Sequence, residues 1–246
     1  TSNYVHFTST TANGTNNLSE SINFVQLKVF AEGAYNATTN LMDTVLKQNA
    51  LLPLDQPFNT MPWNYTDLVA VPDTNDLPIE VVDWLLVEAR DANDNYTIVE
   101  QRAAFLLMDG TVIDGSSITN GVAFFNLQAD NTYFFSVKSR NHLAVLSQNS
   151  YAVPNSVPID FTNATNVLDG NNQLVQVSTG LFAMITGDYN SDGVITVSDY
   201  NEYITESAQI NQYLYGDFNL DGHVTVADFN LYQVNASSIG VAQIRY

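Results

Sequence analysis

The sequence predicts a mainly β chain, an antiparallel β-sandwich of Ig-like layout, with a small C-terminal module of two loops each followed by a helix. Three observations carry this reading. Between Ile22 and Thr186, short apolar runs rich in β-branched and aromatic residues alternate with Gly, Asn, Asp and Pro. The 246 residues are 45% hydrophobic and include 13 Tyr, 13 Phe and 2 Trp, enough to bury a core, and the length suits one medium domain or one plus a small module. Beyond Gly187 the texture changes, and two segments 29 residues apart repeat each other.

Residues 1–21 read as an extended N-terminal arm, polar and of low complexity, with the short apolar run Tyr4, Val5, His6 and Phe7. Such an arm needs a surface to hold it, either its own domain or a neighbouring molecule. Residues 22–186 read as the sandwich, with its clearest strands at 24–30, 81–89, 103–108, 122–127, 133–139, 144–146 and 174–184. Asp109-Gly110 suits a two-residue hairpin turn from 105–108 into 111–113, and 129–131 is placed to turn 124–127 back into 133–135. Residues 42–46 form the one helix-like interlude. Pro53, Pro57, Pro62, Trp63 and Asn64 mark a long ordered loop packed over a sheet end. Residues 187–246 form the repeated module, with 240–246 expected as a C-terminal strand.

The repeat is Gly187, Asp188, Tyr189, Asn190, Ser191, Asp192, Gly193, then Asp199, against Gly216, Asp217, Phe218, Asn219, Leu220, Asp221, Gly222, then Asp228. A twelve-residue calcium loop presents side-chain oxygens at positions 1, 3 and 5, a carbonyl at 7, a carboxylate at 12 and Gly at 6 for the sharp turn. Loop one offers Asp188, Asn190, Asp192, the Val194 carbonyl and Asp199; loop two offers Asp217, Asn219, Asp221, the His223 carbonyl and Asp228. Position 9 is Thr196 or Thr225, with water as the expected ligand. Three carboxylates in each loop repel one another until a divalent cation enters, so two Ca²⁺ are expected and metal and fold should be coupled. The plainer reading is a pair of Asx-rich turns, although matches in register in both loops favour calcium.

This duplicated segment resembles a type I dockerin, the paired calcium-loop module of secreted bacterial proteins, over roughly residues 187–235. The resemblance implies that a helix follows each loop and none precedes it. Tyr200, Tyr203 and Ile204 share a helical face, as do Phe229 and Tyr232. It also implies a cohesin partner gripped through loop positions 10 and 11 and basic residues beyond. Those positions are Val197 and Ser198, and Val226 and Ala227, with no Lys or Arg until Arg245, so that surface does not carry over. Calcium as an internal brace is the better fit. The run Leu27 to Tyr35, with Pro62, Trp63, Asn64 and Tyr65, is faintly similar to bacterial surface proteins.

With 26 Asp plus Glu against 7 Lys plus Arg, a formal net charge of −19, the chain offers no basic patch for nucleic acid or an anionic membrane surface. No apolar stretch is long enough for a membrane span. A start at Thr1 suggests a removed signal peptide, and the absence of Cys forbids disulfides and thiolate sites. Seven glycan-acceptor sequons fall at Asn13, Asn17, Asn36, Asn64, Asn95, Asn163 and Asn235.

The histidines His6, His142 and His223 lie in separate segments, and no nucleophile elbow or phosphate loop is present, so no enzyme is expected. Glu80 with Asp83, or Glu88 with Glu100, could in principle act as a carboxylate pair. Trp63, Tyr65 and Trp84 could stack on sugar, although core is the more frequent fate. The preferred reading is a secreted, extracellular or cell-surface bacterial protein, a calcium-stabilised fibre subunit. It would assemble head to tail with copies of itself by strand exchange through Tyr4, Val5, His6 and Phe7. The alternative is a carbohydrate-binding or accessory module of a polysaccharide-degrading complex, with glycan or cohesin as partner.

Overall fold

A computed structural model describes residues 22–116 and 121–246. The arm with Tyr4 to Phe7, Asn13 and Asn17 lies outside the described residues. The strands are β1 (Asn23–Val25), β2 (Leu27–Lys28), β3 (Tyr35–Asn36), β4 (Leu41–Met42), β5 (Val81–Asp91), β6 (Ile98–Leu107), β7 (Thr111–Asp114), β8 (Val122–Phe124), β9 (Thr132–Lys138), β10 (Val145–Leu146), β11 (Tyr151–Ala152), β12 (Ile159–Asp160), β13 (Leu174–Ser178) and β14 (Leu181–Met184). The helices are α1 (Val45–Gln48), α2 (Gly170–Gln173), α3 (Val197–Glu206) and α4 (Val226–Asn235).

The chain is mainly β, as the apolar runs predict. Its large sheet runs β10-β9-β5-β6-β7-β2-β12, with β11 also on β9, and two-stranded pairs β1-β8, β13-β14 and β3-β4 complete the layers. Among the described strand pairs all are antiparallel except β12 on β2, with isolated parallel bridges at Ala31–Met184 and Ile113–Gly121. Strand β5 is central, buried on both faces through Arg90, which explains why its sequence is a nearly continuous apolar run. On one face Trp84 packs on Phe105 with ring centroids 3.9 Å apart, and its indole N–H donates to the Pro53 carbonyl at 2.9 Å. On the opposite side, β8 meets β9 through an edge-to-face contact of Phe124 and Phe135.

Several expected elements take a different form. Strand β8 pairs with β1, not with β9, so 129–131 is no hairpin turn. The Asp109-Gly110 hairpin exists, but Leu106 opposes Val112, which makes its loop three residues. Met108 leaves the ladder to accept from the Met42 amide. The run 174–184 is a β13-β14 hairpin bent at Gly180, whose φ of +73° is a turn conformation. The helix expected at 42–46 is α1, because Met42 is held in β4 against Tyr35. The loop after α1 is ordered as expected: Gln56 donates to the Tyr65 and Asp67 carbonyls, and Trp63 and Tyr65 are buried.

Residues 240–246 do not form a strand, because side chains of the large sheet take up that segment. Arg90 Nη1 donates to the Gln243 carbonyl at 2.9 Å, and Lys138 Nζ lies 3.5 Å from the Tyr246 ring centroid. Beneath them lies a buried ionic cluster: Glu88 binds Arg90 at 2.6 Å, Lys138 at 3.3 Å and the Ser136 hydroxyl at 2.6 Å. Burial pushes the Glu88 carboxyl up, but Lys138 and Arg90 outweigh it and hold it below its ordinary 4.5. Its stabilising contribution is therefore present above the unfolded value and lost as pH falls through the folded one. Glu88→Gln should cost about 3 kcal/mol at neutral pH, because it leaves buried cations unpaired. Urea unfolding between pH 7 and 3 should show the gap between variant and parent closing in acid.

Candidate metal centre

Loops one (188–199) and two (217–228) have the same backbone form. Gly193 and Gly222 sit at φ +85° and +83°, and position 4, Ser191 or Leu220, is left-handed in both. Position 9 begins each helix: Thr196 and Thr225 are N-caps whose backbone N–H bonds to the carboxylate of Asp199 or Asp228 at 2.8 Å, completing a capping box. Asp at position 12 thus serves the helix start as well as the loop.

Within each loop the short side chains are aimed by the amides. Asn190 Oδ1 accepts from Asp192 N–H at 3.0 Å and Asp192 Oδ1 from Val194 N–H at 2.8 Å. Asn219 and Asp221 repeat this at 3.1 and 2.8 Å. Asp188 and Asp217 turn inward under Gly193 and Gly222, accepting their N–H groups at 3.1 and 2.9 Å. The side chains at positions 1, 3 and 5 of both loops are therefore held by amides of their own loop. Val194 and His223, whose carbonyls are the expected position-7 ligands, give their N–H groups to Asp192 and Asp221. Among the described residues no three His, Cys, Asp or Glu side chains close on one point. The three carboxylates of each loop, Asp188, Asp192 and Asp199 or Asp217, Asp221 and Asp228, are thus near one another in sequence without converging as a ready-made cluster.

Asx turns alone would satisfy much of this geometry. One atom in loop one goes beyond them: Asp188 Oδ1 is buried with no hydrogen-bond partner, a costly position for a carboxylate oxygen. Burial, with Asp199 and Asp192 close by, pushes the Asp188 carboxyl up to about 8. Burial pushes Asp217 up to about 7 against the pull of Arg140, and burial also raises Asp199 and Asp228. Carboxylates so placed hold their charge poorly on their own, and a hard, oxygen-seeking dication suits them.

The repeat extends further than the loops. After α3 the chain returns to loop two, with Ala208 N–H on the Val224 carbonyl and Val224 N–H on the Gln209 carbonyl, both at 2.8 Å. After α4 it returns to loop one in the same way, Ser237 to Ile195 at 2.8 Å and Ile195 to Ser238 at 2.9 Å. Tyr203 Oη donates to the Thr225 carbonyl at 2.6 Å, and Tyr232 Oη to that of Thr196 at 2.9 Å. Each repeat thus completes the loop of the other. Tyr203, Phe218, Phe229 and Tyr232 pack between them, whereas Ile204 is exposed.

The module is seated on the sheet domain by residues that the motif did not signal. Asn141 Nδ2 donates to the carbonyls of Tyr215 and Asp217 at 3.0 and 2.8 Å. Arg140 reaches Asp83 at 3.0 Å and Asp217 at 3.7 Å, donates to the Leu214 carbonyl and covers the Tyr213 ring at 4.1 Å. Glu32 accepts from Thr186 N–H and from the Asn235 amide at 2.6 Å. A Cβ on Gly33 would run into the Phe218 carbonyl. Trp63 stacks on Tyr215.

The other candidate residues resolve simply. Asp83 pairs with Arg140 and Tyr213, and Glu100 accepts the Phe125 and Asn126 amides, so these carboxylates hold structure together. Trp63, Tyr65 and Trp84 are core and present no sugar-stacking face. His142 is fully enclosed, its pKa pushed down to about 3 by burial and by Arg140. Asn64 and Asn163 are exposed and Asn36 and Asn95 partly so, but Asn235 is buried with its amide donated to Glu32 and the Thr186 carbonyl, which removes it as a glycan acceptor in the folded chain.

Fold and site together define a β-sandwich protein carrying a fused, duplicated loop–helix module. No protein-family model matches the chain, and no curated protein does. Among solved structures it is similar to two type II cohesin–X–dockerin complexes from Acetivibrio cellulolyticus, an N-terminal and a C-terminal interface mutant. Identities are 14% and 16%, each alignment covers 63% of this chain and 82% of the other, and the TM-score is 0.36. That likeness is too loose to assign function, which rests on the residues.

Proposed function

We propose that the chain is a non-enzymatic, extracellular structural protein in which a dockerin-like module, loaded with two Ca²⁺, braces a β-sandwich instead of serving as a mobile docking domain. The observation that carries the reading is the seat of loop two, where Arg140, Asn141 and Gly33 bury one loop against the sheet domain. A module engaged in this way stiffens the domain whenever its loops are filled. The brace suits a subunit of a surface fibre, joined head to tail through residues 1–21 added to a neighbour's sheet edge.

Negative-stain electron microscopy of the whole chain tests this. Regular filaments are expected, lost on deletion of residues 1–21 and disordered by a calcium chelator. Monodisperse particles under all three conditions would remove the fibre reading. A second reading, docking to a protein partner such as a cohesin, is favoured by one observation. Tyr200, Ile204, Val226 and Phe229 line an open apolar groove of about 430 Å³ on the module, with Val197 exposed as well.

A further inference from the structure

The two loops offer the same donors in the same order, so ligand count alone gives them equal affinity. Their surroundings differ. Loop two lies against Arg140, whose side chain is wholly buried and whose guanidinium stays charged at any working pH. Arg140 Nη2 has no hydrogen-bond partner among the described residues and stands 3.7 Å from Asp217 Oδ2, the first donor residue of the loop. Asp83, bonded to Nε, offsets part of the charge. Asp217 Oδ1 is also engaged, accepting the Asp221 N–H at 3.0 Å.

Loop one has no such neighbour. Among the described residues Asp188, Asp192 and Asp199 join no ion pair, and Asp188 Oδ1 is buried without a partner. Arg245 lays its aliphatic stem on Gly193, but the residue is exposed and water screens its charge. A cation entering loop two meets a fixed positive charge in a poorly screened medium, whereas one entering loop one does not.

We propose that the loops are unequal calcium sites: loop one binds tightly, and loop two binds more weakly because Arg140 already supplies part of the positive charge that the ion would bring. The inference rests on the calcium reading above. Calcium would then fill loop one first, and the loop seated on the sheet domain would respond at higher calcium.

The test is calorimetric titration of Ca²⁺ into the chelator-stripped full chain, its Asp192→Ala variant and its Asp221→Ala variant, which alter equivalent, partly exposed positions. Two steps separated by about tenfold or more are expected. Asp192→Ala should delete the tight step and Asp221→Ala the weak one. Arg140→Gln, if it folds, should tighten the weak step. Two sites of equal affinity, or loss of the tight step in Asp221→Ala, would overturn the inference and leave the brace intact. No calcium binding by the parent chain would overturn both.

Discussion

Stripping calcium from the purified chain should lower its melting temperature by about 10 °C or more. The size follows from linkage: an ion bound to the native state alone, at about a thousand times its dissociation constant, stabilises by about 4 kcal/mol. In a chain of this length each kcal/mol moves the midpoint by about 2–4 °C. The buried carboxylates set the sign, because Asp188 and Asp217 are pressed toward neutrality by burial when no cation is near. Circular dichroism melts with calcium and with a chelator would check it. Superimposable curves would mean that the loops are held by their Asx turns and capping boxes alone.

Gly33→Val should lift the module from the sheet domain without unfolding the sheet. The new side chain would occupy the space of the Phe218 carbonyl and the Asn219 backbone. Backbone has little room to yield, and overpacking of this kind costs about 3 kcal/mol. Trp63 reports the event, since its ring is stacked on Tyr215 of the module. A shifted tryptophan emission and new protease cuts after Thr186 are expected, with far-ultraviolet circular dichroism retained. Gly180→Asn is the control, because nothing lies within 4 Å of its Cβ position and Asn tolerates its positive φ. An unchanged emission and digest in Gly33→Val would show that the contact is not needed for docking.

The parts legible in the sequence are those fixed by local rules. The run from Val81 to Ala89 had to be a buried strand, and the spacing from Asp188 to Asp199 a turn-rich loop closing on a helix. What was not legible depends on partners distant in sequence. Nothing about Arg140 announces that it will face Asp217, and the segment 240–246 has strand-like composition yet is claimed by Arg90 and Lys138. Pairing of 124–127 with 133–135 is the economical expectation, but β9 has β5, β10 and β11 as neighbours and β8 is left to β1. A further signal lies in the sequence: Ile210 and Ile239 continue the 29-residue repeat and mark the return of each segment to the other loop.

Those crossed returns set how a pull on the module would be shared. The stretch that follows α4 comes back to Gly193 and Ile195, so the chain enters and leaves the module side by side. A pull on the residues beyond α4 would load the short bonds beside loop one and the grip of Arg90 and Lys138 before either helix. The module is closed like a shackle, with its pin beside the hinge, and a dication in loop one would sit where the strain concentrates.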